Sequence, residues 1–464
     1  MIIMQTTTQV KQNNVTGRVV LFLTNLIYMI RLLVVVLVSD YLQDHITNGN
    51  LSLLLHTAIY ASHLFSIYSP YNTCFSFSYG KIIIQVLQCD TNIVFTDLFV
   101  QTEGLNFGIN YGQIANNLPS PSRVALLIKS LNVSRIKLYD ANPNVLSAFS
   151  NTNVEFIIGV GNEYLQSMRD PSKAQTWIQQ NVQPYLSNTK ITCITVGNEV
   201  FNSSATDTQH MTNLLPAMQN VYNALVNLGL AQQVTVTTAH SFNILSNSFP
   251  PSSGAFSQNL IQYIQPLLSF HSQTKSPFLI NAYPFFAYKD NPDQISLSYV
   301  LFQPNQGTID PNTNLHYDNM LYAQIDAVYA AIKVLGHTDI EVRISETGWP
   351  SKGNPDEIGA TLENAEIYNS NLLKRIEQKQ TTPANPTIPI DIYVFALFNE
   401  DMKPGPTSER NYGLYYPDGT PVYNIGLQGY LPEMVIQSKS NTLSIHFFIY
   451  IVTCLAFAWE LSRF

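Results

Sequence analysis

The chain has 464 residues, only 12% of them charged, with 23 Lys and Arg against 31 Asp and Glu and a formal net charge of −8. That acidic balance argues against nucleic acid as a partner, because phosphate binding needs basic surface. The four cysteines, Cys74, Cys89, Cys193 and Cys454, are too few and too scattered for a disulfide scaffold. They also lack metal-ligand spacing, so no metal or other cofactor is expected.

Residues 1–103 do not read like the rest. An apolar run at 19–38 is long enough to span a bilayer but is interrupted by Arg31, which would cost roughly 2.5–3.5 kcal/mol at its centre. It reads as a signal anchor or an unusual secretory signal. A second apolar run, 82–100, is broken by Asp90 and Asp97. With no clean period in this region, no fold is assigned to it, and it reads as an extended or misassigned amino terminus.

From Asn106 onward, strand-like apolar runs alternate with helical segments. The strand candidates are 106–112, 135–140, 154–160, 191–199, 234–240, 278–285, 340–346 and 390–399. Helix-like stretches fall at 121–131, 171–186, 211–228, 321–335 and 362–378. This alternation predicts a parallel sheet with helices outside. Eight such units in about 320 residues fit a closed (β/α)₈ TIM barrel over 104–432, with a doubly wound open sheet as the alternative. Cys193 alternates with Ile191 and Thr195 on its strand and is expected to be a buried, inert thiol. Residues 433–464 form a linker and an apolar tail. The tail, at 443–461, reads either as a GPI-anchor signal or as a membrane-spanning helix.

The ends of these strands carry the chemistry. They supply Asn110 and Tyr111, Tyr139 and Asp140, Asn198 and Glu199, His240, Tyr283, Glu346, and Asn399 and Glu400. In a barrel these ends share one rim, where active sites form, and Asn, Tyr, His and Glu suit a ligand covered in hydroxyls. Glu199 closes Ile-Thr-Cys-Ile-Thr-Val-Gly-Asn-Glu, and Glu346 lies in Ser-Glu-Thr-Gly-Trp-Pro-Ser. A carboxyl group ending an apolar strand is costly to bury without a partner, and two carboxylates are the minimum equipment for cleaving a glycosidic bond. Glu400, Lys403 and Glu409 form an acidic–basic cluster after the last strand. A cation there could hold a carboxylate in its charged form.

Several segments together resemble the plant endo-1,3-β-glucanases of glycoside hydrolase family 17. They are Asn-Phe-Gly-Ile-Asn-Tyr-Gly at 106–112, Thr-Val-Gly-Asn-Glu at 195–199, Asn-Ala-Tyr-Pro-Phe-Phe at 281–286, Ser-Glu-Thr-Gly-Trp-Pro-Ser at 345–351, Phe-Asn-Glu-Asp-Met-Lys-Pro-Gly at 398–405 and Glu-Arg-Asn-Tyr-Gly-Leu-Tyr-Tyr-Pro-Asp at 409–418. The resemblance spans about 105–430. It implies a (β/α)₈ barrel whose open groove binds β-1,3-glucan and cleaves it internally with retention. Glu199 would be the proton donor and acid/base, and Glu346 the nucleophile, the two carboxyl groups lying about 5–5.5 Å apart. It also implies Glu400, Lys403 and Glu409 as supporting residues, and Tyr283 as a hydrogen-bond partner near the nucleophile. Asn110, Tyr111, Tyr139, Asn198, Phe285 and Phe286 would bind substrate or line the groove.

The chain departs from the family pattern in its long amino-terminal region and in having no cysteine-rich module after the barrel. Sequons at Asn132 and Asn202 are consistent with secretion. The chain is therefore expected to act as a monomer, secreted to the cell wall or tethered at the outer face of the plasma membrane by its tail or its amino-terminal segment. The rival readings are a mixed-linkage 1,3-1,4-glucanase, a glucanosyltransferase and a non-catalytic glucan-binding protein of the wall.

Overall fold

The computed structural model describes residues 107–201 and 208–425, with the backbone of three strands nearer the amino terminus. The chain divides into two compact units, Met1–Gln101 and Thr102–Phe464. In the first, strands Cys74–Tyr79, Ile82–Cys89 and Asn92–Ile93 pair antiparallel in that order. The apolar runs at 19–38 and 443–461 and the sequon at Asn202 lie outside the described residues. Among the described residues no helix is long and apolar enough to cross a membrane.

The second unit is built on eight parallel strands: β1 (Gly108–Asn110), β2 (Arg135–Lys137), β3 (Glu155–Val160), β4 (Lys190–Asn198), β5 (Thr235–Ser241), β6 (Phe278–Asn281), β7 (Val342–Thr347) and β8 (Ile392–Val394). Each pairs with its neighbours in sequence, and β8 closes onto β1, so the sheet is a closed barrel. The expected (β/α)₈ architecture is the observed one.

Helices follow the strands with clear start signals. Pro121, Pro143, Pro171 and Pro284 each begin a helix, where the missing N–H has no partner to lose. Asn142, Asp170, Asn319 and Thr361 cap helices by accepting hydrogen bonds from backbone amides two or three residues on. In Thr208–Asn227, Leu214, Ala217, Met218, Val221 and Leu225 are buried at helical spacing and join the apolar core that holds the outer faces of the strands.

Several expected strands are shorter in the structure, 106–112 being Gly108–Asn110 and 135–140 being Arg135–Lys137. The strand expected over 278–285 stops at Asn281, because Pro284 starts the helix Pro284–Asp290. The strand expected over 390–399 has its ladder only across Ile392–Val394.

The barrel interior is layered. Arg135, Lys137 and Tyr139 alternate along one face of β2 and its extension. Arg135 pairs with Asp391 and lies 5.2 Å from the centre of the Tyr393 ring, and Arg343 reaches Asp391 at 3.3 Å. Ile157, Cys193 and Tyr393 form a separate apolar cluster. Burial pushes the Cys193 thiol up to about 11, leaving it protonated and inert. Lys137, farther along β2, belongs to the candidate site.

Candidate active site

Both glutamates stand beyond a break in strand register. Between β6 and β7, Ile280 pairs with Ile344 but Asn281 pairs with Glu346, leaving Ser345 as an extra residue. Between β4 and β5, Thr195 pairs with Thr237 but Asn198 pairs with Ala239, again with one residue extra on β4. Such bulges re-aim side chains next to active sites. The backbone is unusual within and just after the second one, with φ of +72° at Gly197 and +50° at Glu199.

Glu346 is buried and fully engaged. Its Oε1 accepts hydrogen bonds from Lys137 Nζ and the Tyr139 hydroxyl, each at 2.8 Å, and its Oε2 accepts one from the Tyr283 hydroxyl at 2.8 Å. Burial alone would raise its pKa. The charge and hydrogen bond of Lys137, the Tyr139 hydroxyl and the charge of Lys403 outweigh burial and hold the carboxyl below the usual range. Burial and the Glu346 charge push both tyrosine hydroxyls well above their usual range, so they remain donors.

Glu199 is shifted the other way. Its backbone N–H donates to the Ala239 carbonyl at 2.8 Å, and its Oε1 accepts from Asn281 Nδ2 at 2.8 Å. The side chain is open to the groove, yet crowding by protein raises its pKa, and the negative charge of Glu346 raises it further. The hydrogen bond from Asn281 and the charge of Lys137 act against that rise without cancelling it. Asn281 ties Glu199 to the strand that carries Glu346: its Oδ1 accepts from the hydroxyl of Ser345, the residue before Glu346, at 2.5 Å.

The supporting cluster is assembled in part. Lys403 Nζ pairs with Glu409 Oε2 at 3.0 Å and lies 4.3 Å from the centre of the Phe395 ring. Glu400 is buried and accepts from the Ile114 amide at 2.7 Å, tying the loop after β1 to the segment after β8. Burial raises its pKa.

The expected substrate-binding residues separate into two groups. Tyr139 and Tyr283 reach the Glu346 carboxylate, and Asn198 is half-buried beside Glu199. Asn110 is fully buried behind the site, where its amide donates to the Tyr139 hydroxyl and the Ser345 carbonyl at 3.0 Å each. Two assignments are corrected. Phe285 is 0% exposed, packed edge-on against Trp349, and Tyr111 is 2% exposed with its ring edge-on to Phe398. Neither ring offers a face to a sugar. Phe286, at 36% exposed, does. His240 is also removed from the rim: it is buried between the Phe201 and Phe278 rings, at 5.4 and 4.7 Å.

Lys137, Asn281 and Asn162 belong to the site but were not singled out from sequence. Lys137 did leave a signal, alternating with Arg135 and Tyr139 on one face of a barrel strand. A cavity of about 560 Å³ opens beside Tyr139, lined among others by Asp140, Asn142, Glu163, Tyr164 and Trp177. Among the described residues no cluster of His, Cys, Asp and Glu could hold a metal.

The family model for glycosyl hydrolases family 17 matches residues 107–427, which contain the whole barrel and both glutamates. The chain belongs to glycosyl hydrolase family 17. As a family 17 member it is a glycoside hydrolase. An Arabidopsis thaliana protein named glucan endo-1,3-beta-glucosidase 14 is 64% identical over 368 residues, 79% of this chain and 93% of the relative. Glucan endo-1,3-beta-glucosidase 11 of the same plant is 59% identical over 336 residues, covering 72% of this chain and 78% of that one. Among solved structures, a beta-1,3-glucanase and allergen of Cryptomeria japonica pollen superposes with a TM-score of 0.66 at 38% identity, covering 69% of this chain and 98% of that one.

Proposed function

We propose that this family 17 enzyme hydrolyses internal β-1,3 linkages of a neutral glucan with retention at the anomeric carbon. One observation carries the reading: Glu346 is buried and held by Lys137, Tyr139 and Tyr283, which keep its pKa below the usual range, whereas Glu199 opens to the groove with its pKa raised by crowding and by the charge of Glu346. That division separates a nucleophile from an acid. The names of the relatives support β-1,3-glucan as the substrate.

In the first step Glu346 attacks the anomeric carbon, and the glycosidic C–O bond breaks as Glu199 gives its proton to the departing oxygen. Glu199, now ionised, then takes a proton from water. The water oxygen displaces Glu346, restoring both carboxyl groups. Lys137, Tyr139 and Tyr283 hold Glu346 in its charged form and fix its direction. Asp140 and Glu163, at the cavity beside Tyr139, would repel acidic sugars and accept bonds from neutral hydroxyls. Glu400 and the Lys403–Glu409 pair brace the loops after β1 and β8.

Because such a substrate is a wall polymer, we place the enzyme's work outside the cell, with the apolar stretches at 19–38 and 443–461 serving targeting or attachment. Sequencing the mature amino terminus tests the first stretch, and release by a GPI-cleaving phospholipase tests the second.

Reducing-sugar release from laminarin, compared with mixed-linkage 1,3-1,4-glucan, tests the substrate. Wild type is expected to act on laminarin, and Glu346→Ala to be inactive yet still folded, melting lower than wild type because Lys137 loses its buried partner. Preference for the mixed-linkage polymer, or turnover by Glu346→Ala, would overturn the proposal.

A further inference from the structure

Asn162 is the first residue of the short 3₁₀ turn Asn162–Tyr164, just beyond the end of β3. Its side chain faces the last residue of β4. Asn162 Nδ2 donates to the Asn198 carbonyl at 2.9 Å, and the Asn198 N–H donates to Asn162 Oδ1 at 2.8 Å. One amide thus satisfies both backbone groups of Asn198.

Those groups need a partner because of the bulge. After Thr195, β4 slips out of register with β5, and Gly197 and Glu199 both adopt positive φ around Asn198. Positive φ is uncommon for a residue with a side chain and costs energy unless its surroundings hold it. The clash at Gly197 shows how closely the pieces fit: a Cβ there would meet Val200 Cγ2 at 2.7 Å and Asn162 Oδ1 at 3.0 Å. Asn162 therefore takes the place of a ladder partner at the point where the strand turns to present Glu199.

We infer that Asn162 is a positioning residue for the reaction, its carboxamide locking the Asn198 peptide groups and so the direction in which Glu199 leaves the strand. It acts through the backbone and does not touch the substrate. The inference rests on the proposed role of Glu199 as the acid.

The test exploits what an acid does. Proton donation matters for a poor leaving group and little for one that leaves as a stable anion. Kinetic constants of Asn162→Ala are therefore measured on laminarin and on a dinitrophenyl β-laminaribioside. The expected result is a fall of ~10–100-fold in kcat/KM on laminarin, and a much smaller fall in kcat/KM on the dinitrophenyl substrate, whose bond cleavage needs no proton. Equal losses on both substrates, or no loss on either, would overturn the inference.

Asn162→Asp guards against a variant that merely folds poorly. It keeps an acceptor for the Asn198 N–H, turns the donor facing the Asn198 carbonyl into an acceptor and adds negative charge near Glu199. The charged groups already acting on Glu199 are Glu346 on β7, Lys137 on β2 and Glu409 after β8. The alkaline limb of kcat/KM on laminarin is expected to move to higher pH, and an unmoved limb with wild-type kcat would count against the inference. A wild type inactive on laminarin would sink the reading of Glu199 itself. An active wild type with an unaffected Asn162→Ala sinks only this step.

Discussion

Lys137 Nζ stands 2.8 Å from Glu346 Oε1, and the two side chains are only 1% and 7% exposed. A carboxylate this deep would otherwise take up a proton. The lysine, two residues after Arg135 on the same face of β2, is what makes the buried group a charged one.

Replacing Lys137 by Met should therefore leave Glu346 without its cation. Breaking a buried pair from one side typically costs about 3–5 kcal/mol, because the remaining charge is uncompensated. Glu346 is expected to take up a proton more readily than in the wild type. The acid limb of the kcat/KM profile should shift upward and kcat should fall at least ~100-fold. A pH–rate profile with an unmoved acid limb would contradict this role.

The paired phenylalanines give a second test. Phe285 is a core residue against Trp349, and Phe286 is exposed at the groove. Phe285→Ala should destabilise the fold by about 3–5 kcal/mol, read as a lower denaturation midpoint. Phe286→Ala should melt like wild type and raise KM for laminarin several-fold. The reverse pattern would restore Phe285 as a contact for sugar.

The cavity beside Tyr139 predicts a chain-length effect. Tyr164 and Trp177 line it, while neither Glu199 nor Glu346 does, and aromatic rings there suit the apolar faces of sugars. Trp177→Ala should raise KM for laminarin while leaving turnover of short laminari-oligosaccharides unchanged. Equal effects on short and long substrates would place the cavity outside the path of the glucan.

How much of this was legible in the sequence follows from the physics. Glu199 and Glu346 stood out because a carboxyl group ending an apolar strand has to be explained. The eight alternations fixed the barrel for the same reason that a parallel sheet needs crossovers. The bulges at Ser345 and before Asn198 were not visible, since period-two reading assumes unbroken register. Which of Phe285 and Phe286 faces solvent depended on where Pro284 began its helix. His240 shared a strand end with the rim residues, but its side chain lies between aromatic rings on the core side.

That buried histidine and His271 set the stability profile at acid pH. Each is lowered to about 3, His271 by burial and His240 by burial together with the charge of His271. Unfolded, each would titrate near 6.5. Between those values the unfolded chain binds more protons than the native one, so stability falls as pH drops from about 6.5 toward 3. Glu199, raised in the native state, works in the opposite sense as it protonates. Urea midpoints measured from pH 7.5 to 4 should decline for wild type, and His240→Phe, which preserves the stack, should flatten the decline. Parallel curves would contradict it.

The most direct test is covalent. A dinitrophenyl 2-deoxy-2-fluoro-laminaribioside should form a slowly hydrolysed glycosyl-enzyme, and peptide mass spectrometry should find the added sugar on Glu346. A label on Glu199 or Glu400, or first-formed laminarin products of inverted configuration by NMR, would contradict the account.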